Sequence, residues 1–363
     1  MDLYTLLQQF RDSDGFTQIA TNPAAQFGRR ARRYIGAELL PERLVNENAY
    51  REDSVKYRTV VANAGTRYGP AQKKDGDLVG SMLVELSNSD IAREFSGRQY
   101  DALMRMLMSN ASMDALASLT NWLDTAVNLA LLEANEKMRW EAIVSASVAL
   151  TGDNMYSETI SYSNPSNHRA AQTAAWGTDT TDIFADIHTQ ADLLASKGYT
   201  VSRIITSRTV MAIMAGNNTV KTRVGTSVVN ASGQITAAAG RATLAAINGA
   251  LNADGLPPME LYDLQYRTQT GTGYFLPRTV MVLVGTTGQD EELDMGDDQM
   301  LVTDTLGYTA VGRAVGQSGP GRVIQAMPKM DKPPRIEAEG WQTSLPVITE
   351  PEAIAVINSI SAS

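Results

Sequence analysis

A long stretch without helix breakers most constrains what this chain can fold into. Neither glycine nor proline occurs from Arg98 to Thr151. These two residues interrupt helices most strongly, so their absence predicts continuous helix. Ser112 can cap the start of such a helix, Asp114 suits its first turn, and Gly152 lies just past its end. We therefore predict a single helix over residues 112–150.

The predicted helix is long, and its apolar stripe is irregular. At 1.5 Å per residue it would extend about 57 Å, well beyond the average helix of about three turns. Apolar side chains recur at steps of three and four but then move to other faces, which is not a strict heptad. We expect a spine that packs on different partners along its length. The stripe comprises Leu116, Leu119, Leu123, Val127, Ala130, Ala134 and Met138, and it drifts into Trp140, Ile143, Val144 and Val148.

Composition narrows the class of protein. The 363 residues are 43% hydrophobic and 20% charged, which is ordinary globular usage and supports two or three structural units. There is no cysteine, which excludes a disulfide framework and a cysteine-based zinc site. We see no leader segment and no apolar run long enough to span a bilayer, so we expect a soluble, unexported chain without a membrane partner. The net charge of -9 disfavours sequence-specific binding to nucleic acid.

The first fifty residues predict an arm. A short amphipathic helix is expected at 3–10, and four arginines then lie between Gly28 and Gly36. Basic runs are usually solvated or face a protein partner, and we keep contact with nucleic acid as the alternative. The four residues are Arg29, Arg30, Arg32 and Arg33.

Residues 54–88 predict a long hairpin. Alternating apolar and polar residues from Ser54 are followed by turn formers and then by a return strand beginning at Leu78. A hairpin with two polar faces is marginal alone and needs another surface to lie on. In an assembly, that surface would belong to a neighbouring copy. A connecting helix is expected next, over residues 89–108.

The second half predicts an α/β unit and a set of returning strands. From residue 181 to residue 285, helical segments alternate with apolar strands, and Gly198 has the position of a helix C-cap. The part from Leu293 onward contains extended segments, with Pro333, Pro334 and Pro346 favouring edge or extended conformations. We expect these strands to complete a sheet beside the spine helix.

No catalytic, cofactor-binding or metal site is predicted. His188, Asp186 and His168 could form a triad on paper, but no nucleophile motif frames them, and structural histidines are the better interpretation. Gly316, Gly319 and Gly321 lack the signature of a phosphate-binding loop. The acidic run at 290–299 is interpreted as a solvated loop, with a hard cation site as the alternative.

The order of these elements resembles the Hong Kong 97-type phage capsid fold, an α+β fold. More specifically, four stretches resemble the lambda-type major capsid protein, the major capsid protein E family. The stretches that carry it are TAAWGTDTTDIFADIHTQADLLASKG, YTVSRIITSRTVMAIMAGNNTVKTRV, GYFLPRTVMVLVGT and PVITEPEAIAVINS.

The resemblance implies a shell protein that assembles as hexamers and pentamers into an icosahedral capsid around double-stranded DNA. It would be built in the host cytoplasm and act in the virion, with portal and scaffold proteins and a decoration protein as further partners. The implied parts are an amino-terminal arm (1–50), an extended hairpin loop (51–88), a peripheral domain with the spine helix 112–150 (89–180), an axial domain (181–285), and a return to the peripheral domain with the carboxy-terminal segment (286–363).

The loop of such a protein would contact neighbouring copies. We assign these contacts to Arg58, Arg67, Tyr68, Lys73 and Lys74. Some members crosslink a loop lysine to an asparagine, but no partner asparagine or promoting glutamate can be matched in this sequence. Two other functions stay open: an encapsulin-type shell enclosing protein cargo, and a small-molecule enzyme built on residues 181–285.

Overall fold

A computed structural model describes residues 8, 33–56, 78–109, 112–151, 157–162, 166–169, 175–178, 181–225, 227–229, 235–237, 240–268, 271–286, 306–329 and 331–358. Among these residues, no helix is both long and apolar enough to cross a membrane. The α-helices are α1 (Ile35–Leu39), α2 (Arg98–Met108), α3 (Ser112–Leu123), α4 (Leu129–Ser145), α5 (Ile183–Ser196), α6 (Arg208–Gly216), α7 (Asn218–Arg223) and α8 (Leu244–Ala253). A π-helical turn, Asp124–Asn128, joins α3 to α4, and short 3-10 helices span Ser166–Arg169 and Pro351–Ala353.

The strands alternate with these helices along the chain. They are β1 (Glu42–Leu44), β2 (Ala49–Lys56), β3 (Leu78–Glu85), β4 (Ser87–Ser96), β5 (Ser147–Thr151), β6 (Ser157–Ser161), β7 (Thr200–Thr206), β8 (Ser227–Val229), β9 (Ile235–Ala237), β10 (Met259–Leu261), β11 (Gln265–Arg267), β12 (Thr272–Tyr274), β13 (Val280–Thr286), β14 (Gly307–Val311), β15 (Val323–Lys329), β16 (Arg335–Ile348) and β17 (Ile354–Asn358). The protein is therefore an α+β structure.

A five-stranded sheet is built around β16, the longest strand. β14 and β15 pair with successive parts of β16, while β4 pairs with it over Ser87–Ser96, and β1 adds to β14. Ser344 pairs with Val311 and also with Ser87, so β14 and β4 lie on opposite sides of β16. The sequence from Leu293 onward thus supplies most of a sheet beside the spine, as predicted.

The spine helix packs on one face of this sheet. Leu119, Leu123 and Val127 share a buried cluster with Ile336 and Ala338 of β16. The helix approaches the strand closely at Gly340, where a side chain would collide with Val127. Glycine at this position allows the helix and the sheet to touch.

The π-helical turn reduces the drift of the apolar stripe around the helix. Buried positions follow at steps of four, and each such step overshoots an α-helical turn by about 40°. A π-turn is wider because its hydrogen bonds run from residue i to i+5, so it takes up part of this excess. One side of the helix therefore stays on the sheet. The buried positions are Ala115, Leu119, Leu123, Val127, Leu131 and Asn135.

The predicted carboxyl end of the spine helix is wrong. The helix ends at Ser145 rather than at Leu150, and Ala146 adopts a left-handed conformation with φ of 50°. Val148 and Leu150 lie instead on β5, which pairs with β6. The guanidinium of Arg169 donates to the carbonyls of Ile143 and Val144, and so satisfies groups that the helix leaves free.

The predicted connecting helix at 89–108 is half wrong. Residues 87–96 form β4, and only Arg98–Met108 is helical. Gly97, with φ of 60°, makes the break between strand and helix. Because β16 offers an unpaired edge along ten residues, the backbone of 87–96 gains a ladder there that a helix could not provide.

The second sheet has the strand order β10-β7-β13-β17. The buried strand β13 lies between β7 and β17, and α5 packs on the same core through Ile183, Phe184 and Ile187. Its elements follow the predicted pattern of helices and strands for 181–285, but β17 comes from residues 354–358. The sheet therefore takes its last strand from outside the predicted range.

The two strands of the predicted hairpin pair with each other. β2 and β3 are antiparallel, with Ala49 opposite Glu85 and Lys56 opposite Leu78. Among the described strands, neither pairs with any other. At about 3.3 Å per residue, this ribbon is roughly 26 Å long.

Candidate functional site: assembly surfaces and a buried junction

Most of the predicted contact residues lie outside the described part of the chain. This holds for Arg58, Arg67, Tyr68, Lys73 and Lys74 of the loop, and for Arg29, Arg30 and Arg32 of the arm. Arg33 is described, and it contacts the protein's own surface.

Arg33 takes part in a small cluster of ion pairs at the start of α1. Its guanidinium donates to both carboxylate oxygens of Glu38, at 2.7 and 3.0 Å, and lies 3.5 Å from Glu260. Arg203 contacts the same two glutamates, at 3.0 and 2.8 Å. The hydrogen bond from Arg33, with the charge of Arg203, holds the pKa of Glu38 below its ordinary value. These ion pairs therefore tie the chain just before α1 to β7 and β10 of the second sheet.

The two histidines do not form a triad. His188 Nε2 lies 3.1 Å from Asp254, which also binds Arg223, while Asp186 accepts from the indole of Trp176 at 2.7 Å. His168 is buried, and its Nδ1 contacts the carbonyl of Ile354 at 2.9 Å. Both histidines act as structural contacts.

The other candidate chemical sites also lack support in the described structure. The acidic run at 290–299 lies outside the described residues. Across the part of the chain that is described, no three carboxylate, histidine or cysteine side chains gather as metal ligands would. Gly316, Gly319 and Gly321 belong to an exposed loop between β14 and β15.

That loop, residues 312–322, is closed and held in place. Gly321 N donates to Gly312 O at 3.0 Å, and Asn48 exchanges two hydrogen bonds with the backbone of Arg313. Trp341 Nε1 donates to the carbonyl of Val315 at 3.0 Å. The side chain of Val315 is nevertheless exposed, at 73%. The loop thus presents an apolar tip on a fixed base.

A buried junction in the carboxyl-terminal half of the spine helix centres on Glu136. Its Oε1 accepts from Gly36 N at 2.9 Å, from the indole of Trp140 at 2.8 Å and from the hydroxyl of Tyr262 at 2.7 Å. These three donors belong to α1, α4 and the loop after β10, so a single carboxylate joins α1, the spine helix and the second sheet. Burial and the neighbouring Glu136 raise the pKa of Tyr262, which keeps its hydroxyl a donor.

Arg139 balances the charge of this junction. It is 2% exposed and lies 3.5 Å from Glu136 Oε2 and 3.2 Å from Glu42 Oε1. Its Nε donates to Thr309 of β14 at 2.8 Å. Glu42 is also paired with Arg322. Two cations and two carboxylates are thus interleaved between the helix and the first sheet.

Neutral side chains extend the junction to β16. Asn135 donates to Glu42 at 3.2 Å and accepts from Gln342 at 2.7 Å and from Ser344 at 2.8 Å. Gln342 also donates to the carbonyl of Leu131 at 3.0 Å. Asn135 and the carbonyl of Leu131 are therefore matched by side chains of β16, as buried polar groups require.

Known proteins resemble this chain both in sequence and in structure. The sequence matches the family described as phage major capsid protein E over residues 125–356, more than half of the chain. The chain belongs to this family. It is a structural shell protein of a phage capsid, with the Hong Kong 97-type fold.

Solved structures agree on the fold. A candidate capsid protein from a prophage of E. coli CFT073 aligns with a TM-score of 0.52 and 13% identity, over 78% of this chain and 80% of that one. A phage-related protein from Bordetella bronchiseptica RB50 aligns with a TM-score of 0.51 and 14% identity, over 92% and 94% of the two chains. No curated protein matches the sequence.

In this capsid protein, the junction is the part that sequence reasoning missed. Glu136, Arg139 and Asn135 were given no role, although a signal for two of them was present. Continuing the four-residue step from Val127 and Leu131 leads to Asn135 and then to Arg139, which places polar residues on the buried face. The spacing along the helix could not predict which residues would form hydrogen bonds and ion pairs with Asn135 and Arg139.

The charge on Glu42 gives the capsid protein a defined response to acid. Burial alone would raise the pKa of Glu42, but Arg322 and Arg139 together hold it below its ordinary value. A lowered pKa contributes stability that is complete above the ordinary value, near 4.5, and is lost as pH falls through the folded value. We therefore expect Glu42→Gln to cost most at pH 7 and progressively less below pH ~4.5. Urea unfolding of both proteins across this range measures the difference, and a cost that stays constant down to pH ~3 would contradict the assignment.

Proposed function

We propose that this capsid protein assembles as hexamers and pentamers into a closed shell around double-stranded phage DNA. The observation that supports this most is the paired β2–β3 ribbon, which carries residues 57–77 to its far end. A long two-stranded ribbon gains little stability alone and is suited to lie on a neighbouring subunit. Many weak contacts of this kind multiply in a closed assembly.

The parts of the subunit would divide this work. Residues 1–50 serve as an arm, 51–88 as the extended loop, and 89–180 as a peripheral domain on the spine helix. Residues 181–285 form an axial domain, and residues 286–363 return to the peripheral domain and end in the carboxy-terminal segment. Arg58, Arg67, Tyr68, Lys73 and Lys74 make contacts between copies, while the arginines at 29–33 face a partner or the shell interior. Arg33 is the exception among these arginines, because its guanidinium is already paired with Glu38 of the same subunit.

The charge balance suits a DNA container. A net charge of -9 gives weak repulsion toward phosphate, which leaves packaged DNA mobile instead of bound to the wall. Filling the shell would require a portal from elsewhere, and assembly in the host cytoplasm would use a scaffold and a decoration protein as further partners. The interior contents distinguish this proposal from a compartment for protein cargo: nuclease-protected DNA supports it, and an enzyme-loaded shell overturns it.

Deleting residues 62–77 tests the role of the loop. We expect the shortened subunit to keep its circular dichroism spectrum and thermal unfolding midpoint, because these residues lie beyond the described ribbon. Shell formation should be lost, since contacts between copies would be missing. Sedimentation and electron microscopy of the expressed protein, beside the full chain, measure this, and normal shells from the deletion would refute the bridging role.

A further inference from the structure

A cleft of about 560 Å³ opens beside the start of α1. Its walls are the chain at Arg33 and Ile35, the first residue of α6, Arg208, and the loop that follows β10. Tyr262 of that loop belongs both to the cleft and to the buried junction. A cleft of this volume lies in the range of protein pockets that hold a ligand.

The walls of the cleft are held in place by the folded subunit. Ile35 is buried, and the hydroxyl of Tyr262 donates to Glu136 at 2.7 Å. The backbone nitrogen of Arg208 donates to the carboxylate of Asp263, at 3.2 Å from each oxygen. The carbonyl of Leu264 accepts from Phe275 N at 3.2 Å. The cleft is therefore formed before anything binds in it.

The cleft has an apolar floor and a charged rim. Ile35, Leu261 and Leu264 supply aliphatic side chains, and the two leucines are only half-buried. The side chains of Arg33 and Arg208, at the rim, are 65% and 81% exposed, and each is already paired with a carboxylate. The cleft thus offers uncovered apolar surface and cations that are already neutralised. An apolar side chain fits it better than an anion does.

The part of the chain before α1 reaches this cleft at its rim. Residues 9–32 lie outside the described residues, and Arg33, which follows them, lines the cleft. Counting back from Arg33, the first large apolar residue in the sequence is Phe27. The six residues between these positions can extend at most about 20 Å, and Gly28 permits a turn. Phe27 is therefore within reach of the cleft of its own subunit.

We propose that this cleft binds the ring of Phe27 from the same chain. The ring covers Leu261 and Leu264, while the exposed guanidinium of Arg208 can lie over its face. A short tether gives an effective concentration on the order of millimolar, which favours the chain's own segment over a second copy. The bound ring sets the direction in which residues 1–26 leave the subunit. Because the contact lies within one subunit, it does not depend on the proposed function.

Disulfide trapping tests the contact without replacing Phe27, because the natural chain has no cysteine. Gln26→Cys and Gln265→Cys are combined in one chain, since Gln265 is an exposed residue of the cleft wall. We expect mild oxidation to form a disulfide within the chain. Adding Phe27→Ser should slow its formation about tenfold, because the segment is no longer anchored. Adding Phe16→Ser instead is the matched control and should leave the rate unchanged.

A pair of truncated chains gives an independent measurement. Removing residues 1–24 keeps Phe27, whereas removing residues 1–28 deletes it. We expect the backbone amides of residues 261–265 to exchange hydrogen several-fold faster in the shorter chain, because the ring no longer covers them. The chain that begins at residue 25 should exchange like the full chain.

The outcomes decide between the chain's own segment and other occupants. Equal disulfide rates with and without Phe27→Ser, or equal exchange in the two truncated chains, overturn the proposal. A disulfide that joins two different chains when the single-cysteine variants are mixed, and none within one chain, also overturns it and assigns the cleft to a second copy. A natural chain that forms no shells overturns the proposed function but leaves this contact standing, because both measurements use the unassembled subunit.

Discussion

Replacing Arg139 by methionine will destabilise the subunit by about 3–5 kcal/mol, because it leaves the buried carboxylate of Glu136 without its cation. Glu136 is fully buried, and Arg139 is the cation beside its Oε2 at 3.5 Å. Glu42 would keep Arg322, so the larger loss falls on Glu136. Urea unfolding followed by circular dichroism measures the change.

A neighbouring lysine provides the matched control. Lys137 lies on the same helix, is 45% exposed and is paired with Glu141 at 3.4 Å. Lys137→Met removes the same charge but should cost less than about 1 kcal/mol, as exposed ion pairs do. Adding Glu136→Gln to Arg139→Met should recover part of the loss, because the uncompensated charge is gone. Equal costs for Arg139→Met and Lys137→Met would contradict the account of the junction.

Gly340→Ala will separate the spine helix from the first sheet and destabilise the subunit by about 1–3 kcal/mol. The added methyl group would lie deep inside contact distance of Val127 Cγ1 and 3.2 Å from Leu131 Cδ1. Neither residue can swing away, since Val127 is completely buried and Leu131 is 2% exposed. Chemical unfolding again supplies the measurement.

Two further variants make this result specific. Val127→Ala opens the space that the new methyl group needs, so the double variant should cost less than the sum of the single ones by at least about 0.5 kcal/mol. Gly249→Ala lies in the helix α8 with nothing within 4 Å of the added carbon. It should stabilise by about 0.5–1 kcal/mol, because alanine favours helix. A loss of stability at both glycines would show that backbone effects, and not packing, decide the outcome.

The sequence predicted the elements whose signals are local. Helix α5 begins after Asp182, whose side chain accepts from Ala185 N, and it ends before Gly198, which has φ of 90°. Caps and apolar periodicity are contained within a few residues, so they can be seen without the fold. The α+β class and the family followed from the order of such elements.

Boundaries that depend on distant partners could not be predicted. The spine helix stops at Ser145 because Arg169 meets its carbonyls and because β6 pairs with β5. Residues 89–96 become a strand because β16, some 250 residues later, offers them an edge. In both places the local propensity for helix is outweighed by a tertiary contact.

The junction shows the same limit in the candidate site. Two of the three donors to Glu136 are distant along the chain, 100 residues before it and 126 residues after it. The sequence could place Glu136 near a buried face of the helix, but the backbone of Gly36 and the hydroxyl of Tyr262 became its partners only through folding. The loop and arm contacts were predicted from composition and stay predictions.

The position of β17 at the edge of the second sheet has a consequence for synthesis of the subunit. β17 (Ile354–Asn358) pairs with β13 of the second sheet. β16 (Arg335–Ile348) pairs with three strands of the first sheet and holds it together. A ribosome must therefore translate past residue 348 before the first sheet can close, and past residue 358 before the second sheet can. A partly translated chain lacks at least one finished sheet, so subunits mature one whole polypeptide at a time, and fragments are kept out of a growing lattice.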